Sequence, residues 1–415
     1  MYDPIYGYVG LTEQELKIVD TLVFQRLHNI KQLGTAFFVY PGATHSRFSH
    51  SLGTMFLMDR VAQRLRELGI INSTDEICKL RLAALLHDVG HFPFSHCLER
   101  PIRNHSNKNE GSHEKLSVHL IHNTSIKDKL DTYKPSDISS IITKKYVKQP
   151  IYSLLVSSDL DVDRMDYLMR DAHETGVSYG FIDVDRLIRT LVIDQDHLAI
   201  EDKGRQALEN FLLARYHMYQ VVYYHKTVVG FELMLQRIYE KLMEKNMAYD
   251  FDQICKLSEE ELYDFNDSYV WQLLKEHRKN RKLLGELISR FRKRHRLKKV
   301  KDTQGISISG AEKPSYSRMN LIEIPYQLKG FSEKSEVPID WIFYSTPKPL
   351  TILSNADDET AIRVKKEDGT SIPIAQDADS IISNLYDSCF LSSRVYTKDE
   401  YKERLVKGIE ECFGI

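Results

Sequence analysis

The sequence predicts a mainly α-helical protein with short β hairpins and a smaller α+β lobe at its C-terminal end. Three observations predict it. Most of the first 245 residues repeat apolar positions at helical spacing, strand-like alternation there is confined to short segments, and near residue 246 the texture shifts toward charge and alternation. The expected domains are therefore 1–245, a helical main domain, and 246–415, a lobe that is helical and then mixed.

The elements follow in order. "TEQELKIVDTLVFQRLHNIKQL" and "SRFSHSLGTMFLMDRVAQRLREL" read as helices, with Gly34 and Gly69 placed where helices end. Between them "TAFFVYPGA" reads as a short strand and turn. "RLAALLHDVG" predicts a buried helix over Leu82 to Leu86, with Gly90 as its C-terminal cap. "TLVIDQDHLAIEDKG", two apolar runs about a polar turn, predicts a hairpin, and one long helical stretch follows from Arg205 to Lys245.

In the lobe, residues 302 to 330 are rich in Ser and Gly and predict a loop. Residues 338–375 alternate like short strands, and "ADSIISNLYDSC" and "KDEYKERLVKGIEEC" predict closing helices. The basic run Arg290 to Lys301 is expected to be a solvated helix face; contact with nucleic acid or an allosteric phosphate is the alternative.

Composition excludes several classes. At 42% hydrophobic and 28% charged the chain is globular rather than disordered, and a net charge of -2 gives no global attraction to nucleic acid or acidic lipid. The five cysteines show neither the paired spacing of a zinc ribbon nor a disulfide framework. The first residues lack a signal-peptide pattern, and no run reaches the ~18 apolar residues of a membrane span. A cytoplasmic location without membrane association is expected.

Chemistry concentrates in one region. Nine of the sixteen histidines lie between His45 and His122. His87 and Asp88 close an apolar run, His91 and His96 follow, and His50 sits at the start of a helix. An isolated His-Asp pair is more often a local hydrogen-bonded pair in the core than a ligand set. Here, however, "DLDVDRMDYLMRD" adds five aspartates in thirteen residues, and His113 and Glu114 open a further helix. Imidazoles and carboxylates without thiolates suit a divalent ion such as Mn, Fe, Zn or Mg. Asp163, Tyr167 and Asp171 share one helix face, as do Arg215, Tyr219 and Tyr223, so each set either lines a cleft or forms a solvated face. A neutral imidazole can exchange a proton near pH 7, which makes His96 and His113 candidates for acid–base roles.

The pattern His50, His87, Asp88, Asp163, taken with "DPIYGYV", "YPGATHSRFSHSLG", "HDVGHFPFSH" and "DVDRMDYLMRD", resembles the HD-domain metal-dependent phosphohydrolases. Within them it is similar to the branch of sterile-alpha-motif/HD-domain dNTP triphosphohydrolases and their prokaryotic relatives. The resemblance covers residues 3 to about 235. It implies a helical HD fold with His50, His87, Asp88 and Asp163 as metal ligands, and hydrolysis of deoxynucleoside triphosphates to deoxynucleoside and inorganic triphosphate. It further implies that Arg47, Arg164 and Arg215 grip the triphosphate, Arg164 standing where the family has lysine. Tyr167 and Asp171 would hold the 3′-hydroxyl, and Gln32, Leu33 and Tyr223 would pack against the sugar, Leu33 crowding a 2′-hydroxyl. Tyr219 completes the implied binding set.

Glu99, where the family has aspartate, and Glu114 would orient the two imidazoles, with His91 near the phosphates. Asp20 and Gln25 match part of an allosteric guanine-nucleotide site. His28 replaces its arginine and its lysine has no counterpart, so activation by GTP is not expected. A homo-oligomer, dimer or tetramer, is implied, and no sterile-alpha-motif domain is expected ahead of the core. Two other readings stay open: action on another nucleotide, a monophosphate or signalling nucleotide, or a nucleotide-binding regulator. Three phosphate-gripping arginines favour a triphosphate.

Overall fold

The computed structural model describes residues 1–106, 110–195, 197–280, 282–308, 326–346, 350–353, 361–386 and 388–413. The architecture is mainly helical with small sheets. Its centre is the Arg47–Glu67 helix, which packs against Thr74–Leu86 on one side and Val162–Thr175 on the other. Local sequence explains these bounds. Ser73 and Glu76 close a capping box at the start of Thr74–Leu86, and Asp161 caps Val162–Thr175, which ends at Gly176 in the left-handed region. Leu52, Met55, Leu57, Met58, Val61 and Leu65 are buried along the central helix, so its apolar surface is wide enough to face both neighbours.

The predicted hairpin forms between Leu191–Asp194 and His197–Glu201, with Leu191 opposite Ile200 and Asp194 opposite His197. His197–Glu201 also pairs in parallel with Arg363–Lys365, which pairs antiparallel with Ser371–Pro373. One sheet thus joins segments on either side of residue 246. A second sheet is organised around Ser388–Thr397, which pairs with Lys298–Ile308, Phe343–Ser345 and Leu350–Thr351.

Several expected elements differ. Residues 12–33 do not form one helix: Thr21 accepts a hydrogen bond from the Phe24 N–H and starts a new turn, so Glu13–Val19 and Leu22–Gln25 are separate and Arg26–Asn29 is a 3₁₀ turn. The "TAFFVYPGA" segment holds a 3₁₀ turn over Ala36–Phe38 rather than a strand, its aromatic residues stacking locally and on Phe231, with Phe38 and Phe231 centroids 4.4 Å apart. The long helix from Arg205 is interrupted by a π-helical turn at Tyr219–Tyr223 and restarts as Lys226–Met243.

Gly90 is not a left-handed cap. It is required for close packing, because a Cβ there would lie 2.1 Å from the Ser117 nitrogen. Within the predicted loop, residues up to Ile308 form a strand, 326–335 are helical, and 309–325 lie outside the described residues. In "ADSIISNLYDSC" only Ile382–Leu385 is helical before the strand begins. The basic run is not a helix face: the Leu283–Arg292 helix ends within it and the strand begins at Lys298. Arg294 donates to the Phe38 carbonyl and Lys299 pairs with Asp302. Among the described residues, no helix is long and apolar enough to cross a membrane.

Candidate metal centre and adjoining cleft

His50 and Asp163 come from two helices, and His87 and Asp88 from the end of a third, yet the four converge. His50 Nε2 lies 3.0 Å from Asp163 Oδ1 and 3.5 Å from Asp88 Oδ2; His87 Nε2 lies 3.4 Å from Asp88 Oδ1 and 3.7 Å from Asp163 Oδ1. The far nitrogen of each imidazole is committed elsewhere. His50 Nδ1 is 2.7 Å from Asp166 Oδ2, and His87 Nδ1 is 2.7 Å from the Ala84 carbonyl. Those acceptors call for a proton on each Nδ1, which turns the two Nε2 lone pairs toward the carboxylates. Both Nε2 atoms are buried and make no well-aligned hydrogen bond.

That donor set fits a divalent cation. Buried nitrogen acceptors beside buried Asp88 and half-buried Asp163 favour a positive charge between them. Burial opposes a charge on His50, but Asp163 and Asp166 outweigh it and push its pKa up to about 10, so this site favours positive charge. Asp166 is itself held by Arg170, at 2.9 Å, and Arg170 by Asp3, at 2.8 Å. Gly53 makes room for this chain, since a Cβ there would meet Asp166 Oδ1 at 1.9 Å.

Beside this centre lie His91, His96 and His113. His91 stacks on His113 with centroids 4.2 Å apart, and His91 Nε2 is 3.2 Å from Asp88 Oδ1. Glu99 Oε2 binds Nδ1 of His96 at 3.0 Å and Nδ1 of His113 at 3.1 Å. Glu99 therefore takes the orienting part expected also of Glu114, which is exposed at the start of the His113–Asn123 helix. The two imidazoles respond differently. Desolvation prevails at His96 and lowers its pKa, whereas at His113 Glu99 more than offsets desolvation and raises it.

The turn that delivers His96 is strained. Phe94 and Ser95 both have φ of 56°, a conformation that costs a non-glycine residue about 1–3 kcal/mol. It is held from several sides. The Phe94 N–H donates to Asp267 at 2.7 Å, and the Ser95 hydroxyl donates to the Lys31 carbonyl at 2.7 Å and accepts from Arg47 Nε at 2.9 Å. Arg47 also pairs with Asp88. Arg26, fully buried, donates to the carbonyls of Val89, His91 and Phe265 and fixes the loop between His87 and His96.

A cleft of about 450 Å³ opens onto these groups. Of the expected binding residues, Gln32, Leu33, Arg47, Arg164, Tyr167, Asp171, Tyr219 and Tyr223 line it. Arg164 pairs with Asp159 at 2.5 Å, and Asp171 binds His45 at 2.8 Å and the Tyr223 hydroxyl at 2.7 Å. Arg215 is not among the lining residues: it donates to the carbonyls of Thr351 and Ile352 at 3.3 Å and lies over the Tyr219 ring. Asp20 is exposed and Gln25 is tied to the Val19 carbonyl, both away from the cleft.

Sequence reasoning missed Asp3, Arg26, His45, Asp166, Arg170 and Asp267. Asp166 and Arg170 stand at i, i+4 within "DVDRMDYLMRD" and were legible as a helical ion pair. The others carry no local signal.

Two family models match the chain: "HD domain" over residues 47–171 and "HD associated region" over 182–415. An uncharacterized protein of Methanocaldococcus jannaschii is 38% identical over 268 residues, which is 63% of this chain and 54% of that protein. A Dictyostelium discoideum protein named as a deoxynucleoside triphosphate triphosphohydrolase SAMHD1 homolog is 32% identical over 62% of this chain and 50% of its own length. The chain thus spans about half the length of these curated relatives. A crystal structure of a phosphohydrolase from Bacteroides thetaiotaomicron superposes with a TM-score of 0.77 at 29% identity, covering 96% of this chain and 99% of that one.

Proposed function

Because the chain belongs to the HD family, an HD domain followed by an HD-associated region, we propose that it is a metal-dependent phosphohydrolase that cleaves deoxynucleoside triphosphates to deoxynucleoside and inorganic triphosphate. One observation carries this reading. Two unbonded, buried Nε2 atoms and two carboxylates converge beside a cleft lined by two arginines and by a pair of imidazoles sharing one carboxylate.

His50, His87, Asp88 and Asp163 would hold the ion, for which Mn, Fe, Zn and Mg all suit the donors. A bound divalent ion supplies Lewis-acid polarisation of a phosphate oxygen and a more acidic bound water. The chain's own groups do the rest. Arg47 and Arg164 present guanidinium forks to phosphate oxygens. His113, whose raised pKa favours the imidazolium, would donate a proton to the departing 5′-oxygen, while His96, whose pKa is lowered, would accept one. Glu99 keeps both rings with Nδ1 engaged and Nε2 turned away from it.

Tyr167 and Asp171 hold the 3′-hydroxyl, Asp171 being fixed by His45 and Tyr223. Gln32 and Leu33 close the sugar's other face and disfavour a 2′-hydroxyl. The working form is a homo-oligomer. The test is to incubate metal-reconstituted protein with each dNTP and GTP and to identify products by chromatography beside a His87→Ala, Asp88→Ala control. Deoxynucleoside with intact triphosphate, absent in the control and weak with GTP, is expected; release of phosphate or diphosphate would move the attack away from the α-phosphorus and sink the reading.

A further inference from the structure

Glu232 stands on the Lys226–Met243 helix and lines the cleft, and it is not one of the groups that converge at the metal centre. Cys97, Tyr224 and Tyr396 are titratable groups near enough to feel its charge. Its carboxylate makes no hydrogen bond or ion pair among the described residues; the contact at this position is the Cys97 thiol on its backbone carbonyl, 3.7 Å away. Burial alone acts on the acid and pushes its pKa up to about 7. A carboxylate kept in such surroundings without a partner is costly for the free protein, and the ligand that enters can supply the missing donors.

The surroundings say what kind of ligand group arrives there. Val228 lies one helical turn before Glu232 on the same face and also lines the cleft. It packs with Ala36 and Leu33, which line the cleft too. The acid and these apolar side chains therefore line one cleft, and a flat ring edged with N–H donors suits a carboxylate beside an apolar wall. Tyr167, Asp171 and Tyr223 line the stretch assigned to the sugar.

We infer that Glu232 reads the nucleobase, accepting the ring N1–H and the 2-amino N–H of guanine on its two oxygens. The inference rests on the nucleotide reading of the cleft. An ionised carboxylate is acceptor-only and takes two parallel N–H donors. Among the four bases only guanine offers adjacent donors of that kind: adenine and cytosine place a ring acceptor beside their amino group, and thymine flanks its single N–H with carbonyls.

The experiment compares dGTP with dITP, which keeps N1–H and lacks the 2-amino group. Products and kcat/KM are measured with metal, and equilibrium binding is measured in EDTA, where turnover stops. Wild type is expected to favour dGTP over dITP by roughly tenfold or more in both readouts, since removing one donor leaves an oxygen of this half-buried carboxylate unpaired. Glu232→Gln, which turns one acceptor into a donor, is expected to bring that ratio close to one. A ratio near one in the wild type, or a ratio that Glu232→Gln leaves unchanged, overturns the guanine contact. Discriminating binding with no release of triphosphate sinks the hydrolase reading and leaves the contact standing. Failure of both nucleotides to bind overturns both.

Discussion

The His50 imidazole and the Asp166 carboxylate meet at 2.7 Å, and this contact fixes which histidine nitrogen faces Asp163 and Asp88. Asp166 touches neither of those carboxylates nor the cleft. Its effect passes through His50, and Arg170 and Asp3 hold it in place from behind.

Replacing Asp166 by Asn should therefore weaken metal binding by about 10–100-fold, the range seen when a partner of a ligating histidine is lost. Asp166→Ala should also cost about 3–5 kcal/mol in stability, because fully buried Arg170 loses its main counter-charge. Competition with a chromogenic chelator and urea melts measure the two effects. Wild-type metal affinity in Asp166→Asn would show that His50 needs no orientation from this side.

Glu99 and Glu114 separate by the same reasoning. Glu99 binds both His96 and His113, whereas Glu114 is exposed. Glu99→Gln should lower kcat/KM by about 10²-fold or more, the scale of lost general acid–base catalysis. The His113 pKa should fall with it, because Glu99 is what raises it against desolvation. The alkaline limb of the pH–rate profile, where the imidazolium is lost, then moves to lower pH. Glu114→Gln should leave that limb in place; a shift of equal size in both variants would return the orienting role to Glu114.

The ligands were legible in the sequence because chemistry and spacing coincide there. His87 and Asp88 end an apolar helix, and Asp163 belongs to a helix whose aspartates and tyrosine fall on one face. Apart from the Asp166–Arg170 pair, the supporting groups were not legible. Asp267 bonds Phe94 across 173 residues, Arg26 bonds Phe265 across 239, and Asp3 bonds Arg170 across 167. No periodicity marks a contact that spans so much of the chain. The misread elements failed for local reasons: Thr21 capped a helix that apolar spacing alone would continue, and the aromatic side chains of 35–43 found each other rather than a strand partner.

Gly34 should tolerate no side chain. It has φ of +51°, and a Cβ would lie 2.7 Å from the Phe94 carbonyl oxygen, inside the strained turn that carries His96. Gly34→Ala should cost about 1–3 kcal/mol from the backbone conformation alone and lower kcat as Phe94 and Ser95 shift. Thermal melts and steady-state rates test this pair of effects, and a variant as stable and active as wild type would show that the turn has slack.

Asp267 gives the clearest pH signature outside the metal centre. Burial raises its pKa to about 6, although the N–H groups of Phe94 and Lys31 and the Lys31 ammonium pull it down. The sign follows from proton binding. Between its unfolded pKa of about 3.9 and about 6 the native state holds the proton more tightly, so stability falls as pH rises through that window and is level above it. In Asp267→Asn this contribution disappears. The amide loses bonds that the carboxylate makes to Lys31, so the variant should be less stable overall. Its deficit relative to wild type should nevertheless shrink as pH rises from about 4 to 6 and then stay constant. Urea unfolding of both proteins at half-unit pH steps reads this directly. A deficit that grows with pH would mean that Asp267 is ionised throughout, with Lys31 and the Phe94 N–H outweighing burial.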